Sequence, residues 1–377
     1  MYPGKKVSNL VQLLKGRAKS HAHQKAYIFL VDGEEQEHSY TYAELDEKAC
    51  LIALHLLGCA KAGDRALLLY PSGLEFISAF FGCLYAGVIA VPAYPPRNNR
   101  NMSRIQAVAL DAGATVCLAT TSGIDQSKNF LDLIPQLKEV AWINTDQLEN
   151  RDDTSLRDVS ITPTTLAFLQ YTSGSTGMPK GVMVSHANLI HNLSCLFDKW
   201  HHSSKDNVVS WMPFFHDMGL VFGVLQPLYV GVLGTLMAPV TFLQQPFRWL
   251  YALSRLKATL SIAPNFAYDL CVQKITEEEK RGIDLSCWEG AYNASEPVRA
   301  ETLDHFYHAF RSCGFSKKAL KPAYGLAEAT LAVTFLSRDK SFSIQQIDKQ
   351  SYQEHRVNLQ SDTKNFRCIV GVWRPCS

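Results

Sequence analysis

Leu166-Ala167-Phe168-Leu169-Gln170-Tyr171-Thr172-Ser173-Gly174-Ser175-Thr176-Gly177-Met178-Pro179-Lys180-Gly181 decides how this chain is read. Its first six residues form an apolar run bounded by Pro163 before it and glycines after it. That is the pattern of a buried strand. A strand feeding a loop of small residues is where α/β proteins hold phosphates. Glycines let backbone N–H groups approach closely, hydroxyls donate further hydrogen bonds, and a lysine neutralises charge. A flexible Gly/Ser linker is the alternative. Against it, Lys180-Gly181-Val182-Met183-Val184 resumes an apolar strand at once.

Two familiar nucleotide loops do not fit. The pattern G-x-x-x-x-G-K-[ST] needs a hydroxyl after lysine, but five residues separate Gly174 from Lys180 and Gly181 follows it. The dinucleotide fingerprint G-x-G-x-x-G does not occur. The arrangement T-S-G-S-T-G-x-P-K-G instead resembles the phosphate loop of the AMP-forming adenylating enzymes, which include acyl-CoA synthetases, luciferases and nonribosomal-peptide adenylation domains.

At 377 residues the chain is too long for one small core and suggests two or three packed subdomains. Its composition, 47% hydrophobic and 19% charged, is that of a globular protein. A formal net charge of +2 with scattered basic residues argues against nucleic acid as a partner. Ten cysteines occur without a C-x-x-C pair, mostly in apolar surroundings. They read as reduced core residues of a cytoplasmic protein. Phe76 to Pro96 carries no charge, long enough to suggest a membrane span, but Gly82, Gly87 and Pro92 punctuate it. We read it as a buried helix, Leu74 to Ala86, and a short strand, Gly87 to Ala93; the chain is not transmembrane.

Strand and helix alternate along the rest of the chain. Thr41 with Glu44 three residues on reads as a capping box opening a helix to about Leu57, stopped near Gly58. Arg65 to Tyr70 and Thr115 to Ala119 read as strands, and residues 102 to 110 as a helix. After the phosphate loop come a helix over Ala187 to Leu196, a strand over Asn207 to Pro213, an apolar helix over Met218 to Val230 and a strand over Leu236 to Pro239. This alternation predicts an α/β fold with a mainly parallel sheet. Two α/β subdomains are expected, with a boundary in the polar region near 145 to 165: residues 1–160 form the first and 161–338 the second.

Three further segments carry chemistry. Phe214-Phe215-His216-Asp217-Met218-Gly219-Leu220 joins a strand end to an apolar helix, where open α/β sheets collect ligands. His216 is equally readable as a core histidine and Asp217 as a helix N-cap. Asn293-Ala294-Ser295-Glu296-Pro297-Val298 follows another strand and on its own reads as a turn and helix start. Pro322-Ala323-Tyr324-Gly325-Leu326-Ala327-Glu328 offers a ring to stack on a purine, a glycine for close approach and a carboxylate for magnesium. The alternative is a helix starting after Gly325 with Glu328 on its solvated face.

Together these segments resemble fatty acyl-AMP ligases, a branch of the adenylating superfamily, over nearly the whole chain. Ala90-Val91-Pro92-Ala93-Tyr94-Pro95-Pro96 and Ala263-Pro264-Asn265-Phe266-Ala267-Tyr268 add to the likeness. One segment departs: the branch usually reads N-G-A-E-P-V where this chain has Asn293 to Val298.

The resemblance implies a role for each matching residue. Thr172, Ser173, Gly174, Ser175, Thr176 and Gly177 would cradle the ATP phosphates, with Lys180 holding the loop. Asn293, Ala294, Ser295, Glu296, Tyr324 and Gly325 would shape the nucleotide pocket. Glu328 would ligate Mg2+, and His216 would sit near the acyl entrance and the α-phosphate; these two are the expected catalytic residues. Met218, Gly219, Pro264 and Phe266 would line the acyl pocket, within apolar segments that read equally well as ordinary core.

The implied reaction joins a medium- or long-chain fatty acid to ATP as an acyl-adenylate, releasing pyrophosphate. The acceptor in this branch is the phosphopantetheine arm of an acyl carrier protein or of a carrier domain in a polyketide or nonribosomal synthase. Residues 339–366 fit a family insertion. The family pattern continues with a β-rich subdomain and a small mobile lid domain bearing a lysine. The resemblance therefore implies a β-barrel subdomain left incomplete and a C-terminally truncated adenylation domain. Two other readings stay open: an acyl-CoA synthetase, and a catalytically silent nucleotide- or acyl-adenylate-binding remnant.

Overall fold

The computed structural model describes residues 7–94, 102–128, 135–149, 159–172, 179–358 and 366–372. Apolar runs bounded by turns become strands: β1 (Lys25–Leu30), β2 (Glu37–Thr41), β3 (Arg65–Leu69), β4 (Ile89–Ala93), β5 (Val116–Ala119), β6 (Ala141–Asn144), β7 (Leu166–Thr172) and β8 (Lys180–Ser185). In the second half follow β9 (Val208–Ser210), β10 (Gly234–Met237), β11 (Leu260–Ala263), β12 (Gly290–Asn293), β13 (Leu320–Gly325), β14 (Ala332–Phe335), β15 (Ser343–Asp348) and β16 (Phe366–Gly371).

One sheet has the order β6-β5-β3-β4-β7-β8, and a second the order β14-β13-β12-β11-β9-β10-β1-β2. Both are parallel inside and gain an antiparallel strand at an edge, β8 in the first and β2 and β14 in the second. Such parallel interiors are buried on both faces, which is why their strands read as unbroken apolar runs. The sheets do not follow the expected division near residue 160. β7 and β8 complete the first sheet from beyond it, and β1 lies beside β10 in the second. Pairing partners so distant leave no local mark in the sequence.

The uncharged stretch after Phe76 is a core unit. Helix Leu74–Tyr85 has twelve residues, and all but Glu75 are buried. A helix apolar all round needs cover on every side. Helix Tyr42–Leu57 supplies one cover so closely that a Cβ at Gly82 would lie 2.5 Å from the Ile52 side chain. Among the described residues no helix is long and apolar enough to cross a membrane. Helix Tyr42–Leu57 itself opens with the expected box, Thr41 and Glu44 exchanging side-chain and backbone hydrogen bonds.

Three elements differ from the sequence reading. Met218–Leu225 is a π-helix, continued by the α-helix Gln226–Val230. Pro239 opens a short helix, Pro239–Gln244, instead of closing a strand, because proline suits a first helical turn. Within residues 339–366, β15 leads into helix Lys349–Gln353, and β15 pairs antiparallel with β16.

A polar cluster fixes the segment that leads there. Buried Lys321 donates from Nζ to the carbonyls of Ser337 (3.1 Å), Arg338 (2.9 Å) and Lys340 (2.5 Å). Burial holds its ammonium pKa down to about 8. Arg338 in turn bridges Glu289 and buried Asp206.

Candidate functional site

A cleft of about 730 Å³ opens where strands of both sheets end. Tyr94 follows β4, Thr172 ends β7, Ala294 and Ser295 follow β12, and Tyr324 and Gly325 end β13; all line it. Carboxyl ends of parallel strands are where backbone groups and loop side chains converge on ligands.

The π-helix shapes one wall. A Cβ at Gly219 would lie 2.1 Å from the Pro213 carbonyl oxygen, so only glycine lets this turn pack. Asp217 caps the helix, its Oδ1 accepting the Met218 N–H at 2.7 Å. The same oxygen lies 2.7 Å from His216 Nδ1. The Met218 N–H also lies 3.2 Å from Nδ1, so the cap and the ring are fixed together. Nε2 faces the Ser295 hydroxyl at 3.4 Å.

Ser295 itself has φ of +75°, and Thr330, just past Glu328, has φ of +73°. Non-glycine residues avoid this region, and held strain of this kind gathers at functional sites. Gly325 admits the turn that carries Glu328, since a Cβ there would meet the Leu331 carbonyl at 2.1 Å. Glu328 is exposed on a single 3-10 turn, Ala327–Ala329, facing the cleft.

Of the expected site residues, Thr172, His216, Met218, Ala294, Ser295, Tyr324, Gly325 and Glu328 meet in this cleft. Ser173, Gly174, Ser175, Thr176 and Gly177 lie outside the described residues. Lys180 is exposed, opens β8 and pairs with Thr172 across the hairpin, but is not in the cleft lining. Asn293 is fully buried, its Nδ2 donating to Asn265 Oδ1 at 3.2 Å. Glu296 accepts the Phe266 N–H at 2.6 Å and so secures the start of helix Asn265–Lys274. Gly219, Pro264 and Phe266 are likewise outside the lining, and Phe266 is 43% exposed. Apolar surface comes instead from Met218, Phe222, Ile262, Tyr292 and Leu196.

Three residues that the sequence reading missed hold this geometry. Gln170 Nε2 donates to the Phe215 carbonyl at 2.7 Å, tying β7 of one sheet to the His216 loop of the other. Asn192 secures the Glu328 turn, donating to the carbonyls of Ala329 (3.2 Å) and Ala332 (3.1 Å). Its one sequence signal is a polar residue on the apolar face formed by Leu189, Leu193 and Leu196. Arg104 also lines the cleft, its guanidinium 5.7 Å from the Tyr94 ring centroid.

Comparison with known proteins places the chain among its relatives. The family described as AMP-binding enzyme matches residues 14–355. The medium-chain-fatty-acid–[acyl-carrier-protein] ligase JamA of Moorena producens is 44% identical over 366 residues, covering 96% of this chain and 62% of that protein. A second medium-chain-fatty-acid–[acyl-carrier-protein] ligase, from Teredinibacter turnerae, is 33% identical, covering 92% of this chain and 60% of that protein. The chain thus spans less than two thirds of the length of these relatives. The solved fatty acyl-adenylate ligase from L. pneumophila, in complex with acyl adenylate and pyrophosphate, superposes with a TM-score of 0.92 at 42% identity. That match covers 98% of this chain and 64% of the other.

Proposed function

Because this chain belongs to the AMP-binding enzyme family, we propose that its cleft holds ATP beside a fatty acid and serves a ligase that joins them as an acyl-adenylate. The observation that carries this reading is the meeting of Thr172, His216, Ser295, Tyr324 and Glu328, from both sheets, in one cleft with an apolar side.

In this reading a fatty carboxylate oxygen attacks the α-phosphorus of ATP. The bond from that phosphorus to the bridging oxygen breaks, and pyrophosphate leaves with the electron pair. Such transfer depends on alignment and charge neutralisation more than on covalent help. Tyr324, 54% exposed, offers a ring face for the adenine, with Gly325, Ala294 and Ser295 beside it. Asn293 and Glu296 tie that segment to the start of helix Asn265–Lys274. Thr172 through Gly177, with Lys180, are the proposed phosphate contacts. His216 Nε2, held by Asp217 through the other ring nitrogen, orients the reacting groups. Met218, Phe222 and Ile262 offer the acyl chain an apolar wall, where each buried methylene contributes about 0.8 kcal/mol.

Glu328 suits magnesium. Among the described residues no group of three acidic, histidine or cysteine side chains could cage a metal. Magnesium bound with nucleotides commonly takes one or two carboxylates and the phosphates themselves. When bound it would neutralise phosphate charge.

The carrier-protein ligases among the similar proteins favour a phosphopantetheine thiol over free coenzyme A as the final acceptor. The test is fatty-acid-dependent formation of acyl-AMP from radiolabelled ATP by this chain, with Glu328→Gln as control. Product that depends on Glu328 supports the reading. ATP binding without product reduces the chain to a nucleotide-binding unit. Offering the product to coenzyme A and to holo-acyl carrier protein in parallel decides the acceptor.

A further inference from the structure

Arg104 is the only lysine or arginine among the described residues that line the cleft; its acidic neighbours there are Asp217 and Glu328. A cleft built for a triphosphate needs fixed positive charge, because such groups leave water only when paired. Arg104 projects from helix Met102–Ala112.

The side chain is held in place by its surroundings. Its guanidinium lies over the Tyr94 ring, and Tyr94 packs on Phe215 with centroids 3.6 Å apart. A guanidinium presents its N–H donors as a planar fork that matches a phosphate. The helix is also tied to the strand that ends at Thr172. Tyr171 donates its hydroxyl proton to Asp111 at the far end of the same helix, at 2.6 Å. Arg104 and Thr172 thus line the cleft from elements that are tied together.

We infer that Arg104 binds the β- and γ-phosphates of ATP and holds the pyrophosphate as it leaves. The inference rests on the adenylation reading above. As the α-phosphorus bond breaks, negative charge grows on the oxygen that departs with the β-phosphate. A fixed guanidinium on that side stabilises the change without accepting a proton.

Titration calorimetry of this chain and of Arg104→Met and Arg104→Lys, with inorganic pyrophosphate, ATP, AMP and a fatty acid in separate arms, tests the assignment. Arg104→Met is expected to weaken pyrophosphate and ATP about tenfold or more, the loss of one charge-assisted pair. Arg104→Lys keeps the charge without the fork and is expected between the two. AMP and fatty acid affinities are expected to hold. Thermal midpoints of the parent and both variants, read beside the affinities, establish that each variant is folded. Unchanged pyrophosphate and ATP affinity in Arg104→Met overturns the inference while leaving the adenylation reading intact. Loss confined to the fatty acid overturns it in favour of a carboxylate contact. A parent chain that binds neither ATP nor AMP removes the adenylation reading and this inference with it.

Discussion

Asn192 grips Ala332 by both ends of its amide: Nδ2 donates to the Ala332 carbonyl at 3.1 Å, and Oδ1 accepts the Ala332 N–H at 3.3 Å. With the Ala329 carbonyl as a third partner, one buried side chain on helix His186–Trp200 fixes the turn that presents Glu328. Asn192→Leu keeps the volume and removes all three bonds. It is expected to lower unfolding free energy by about 2–3 kcal/mol, since buried backbone groups lose their partners. ATP affinity is expected to fall with it. Urea denaturation beside nucleotide titration checks both; a stable variant with weakened nucleotide binding would locate the effect in the turn alone.

Ser295 combines positive φ with a contact to His216. Ser295→Gly is expected to relieve the backbone, gaining about 0.5–1 kcal/mol once the flexibility of glycine is set against the strain. Turnover is expected to fall, because Nε2 of His216 loses its neighbour. Ser295→Ala, which keeps the strain, is expected to lose turnover without gaining stability. If the glycine variant melts no higher than the parent, the strain is not there.

His186 sits where helix His186–Trp200 meets helix Leu10–Ser20. Its Nδ1 accepts the Leu10 N–H at 3.3 Å. Burial alone pulls its pKa from the ordinary 6.5 down to about 4. Below 6.5 the unfolded chain takes up a proton that the folded chain refuses. The stabilisation is therefore complete above pH 6.5 and is lost as pH falls toward 4, by about 3 kcal/mol at most. His186→Gln, which does not titrate, is expected to flatten this part of the stability–pH curve. Denaturation midpoints at pH 7 and pH 4.5 compare the two.

Lys321 bonds three carbonyls within four residues. Lys321→Met fills the same space without donors, and a loss of about 2–3 kcal/mol is expected from the unpaired carbonyls. Hydrogen exchange should quicken first across residues 336–348, ahead of the sheets. Uniform acceleration throughout the chain would show instead that Lys321 supports the core at large.

Much of this was legible in the sequence, for reasons that differ by element. The Thr41–Glu44 box and the wholly apolar helix Leu74–Tyr85 are local patterns, and local patterns carry local structure. The cleft residues were legible through motif chemistry, as with Tyr324 and Glu328. What escaped depends on contacts between distant segments. The π-helix packs Gly219 against the Pro213 backbone, a fit that no periodicity encodes. Asn192 reads as one polar residue on an apolar stripe until its turn is seen. Gly219, Pro264 and Phe266 lie in the expected apolar segments, yet only packing decides which side chains of such a segment reach the cavity.

The placement of β1 beside β10 bears on synthesis at the ribosome. The hairpin of β1 and β2 must wait, one edge unpaired, until Gly234–Met237 has emerged. Exposed strand edges recruit other chains, and late pairing prolongs that hazard. A nascent chain stalled anywhere between β2 and β10 would therefore carry an open edge, and the protein is expected to lean on chaperones during translation more than after release.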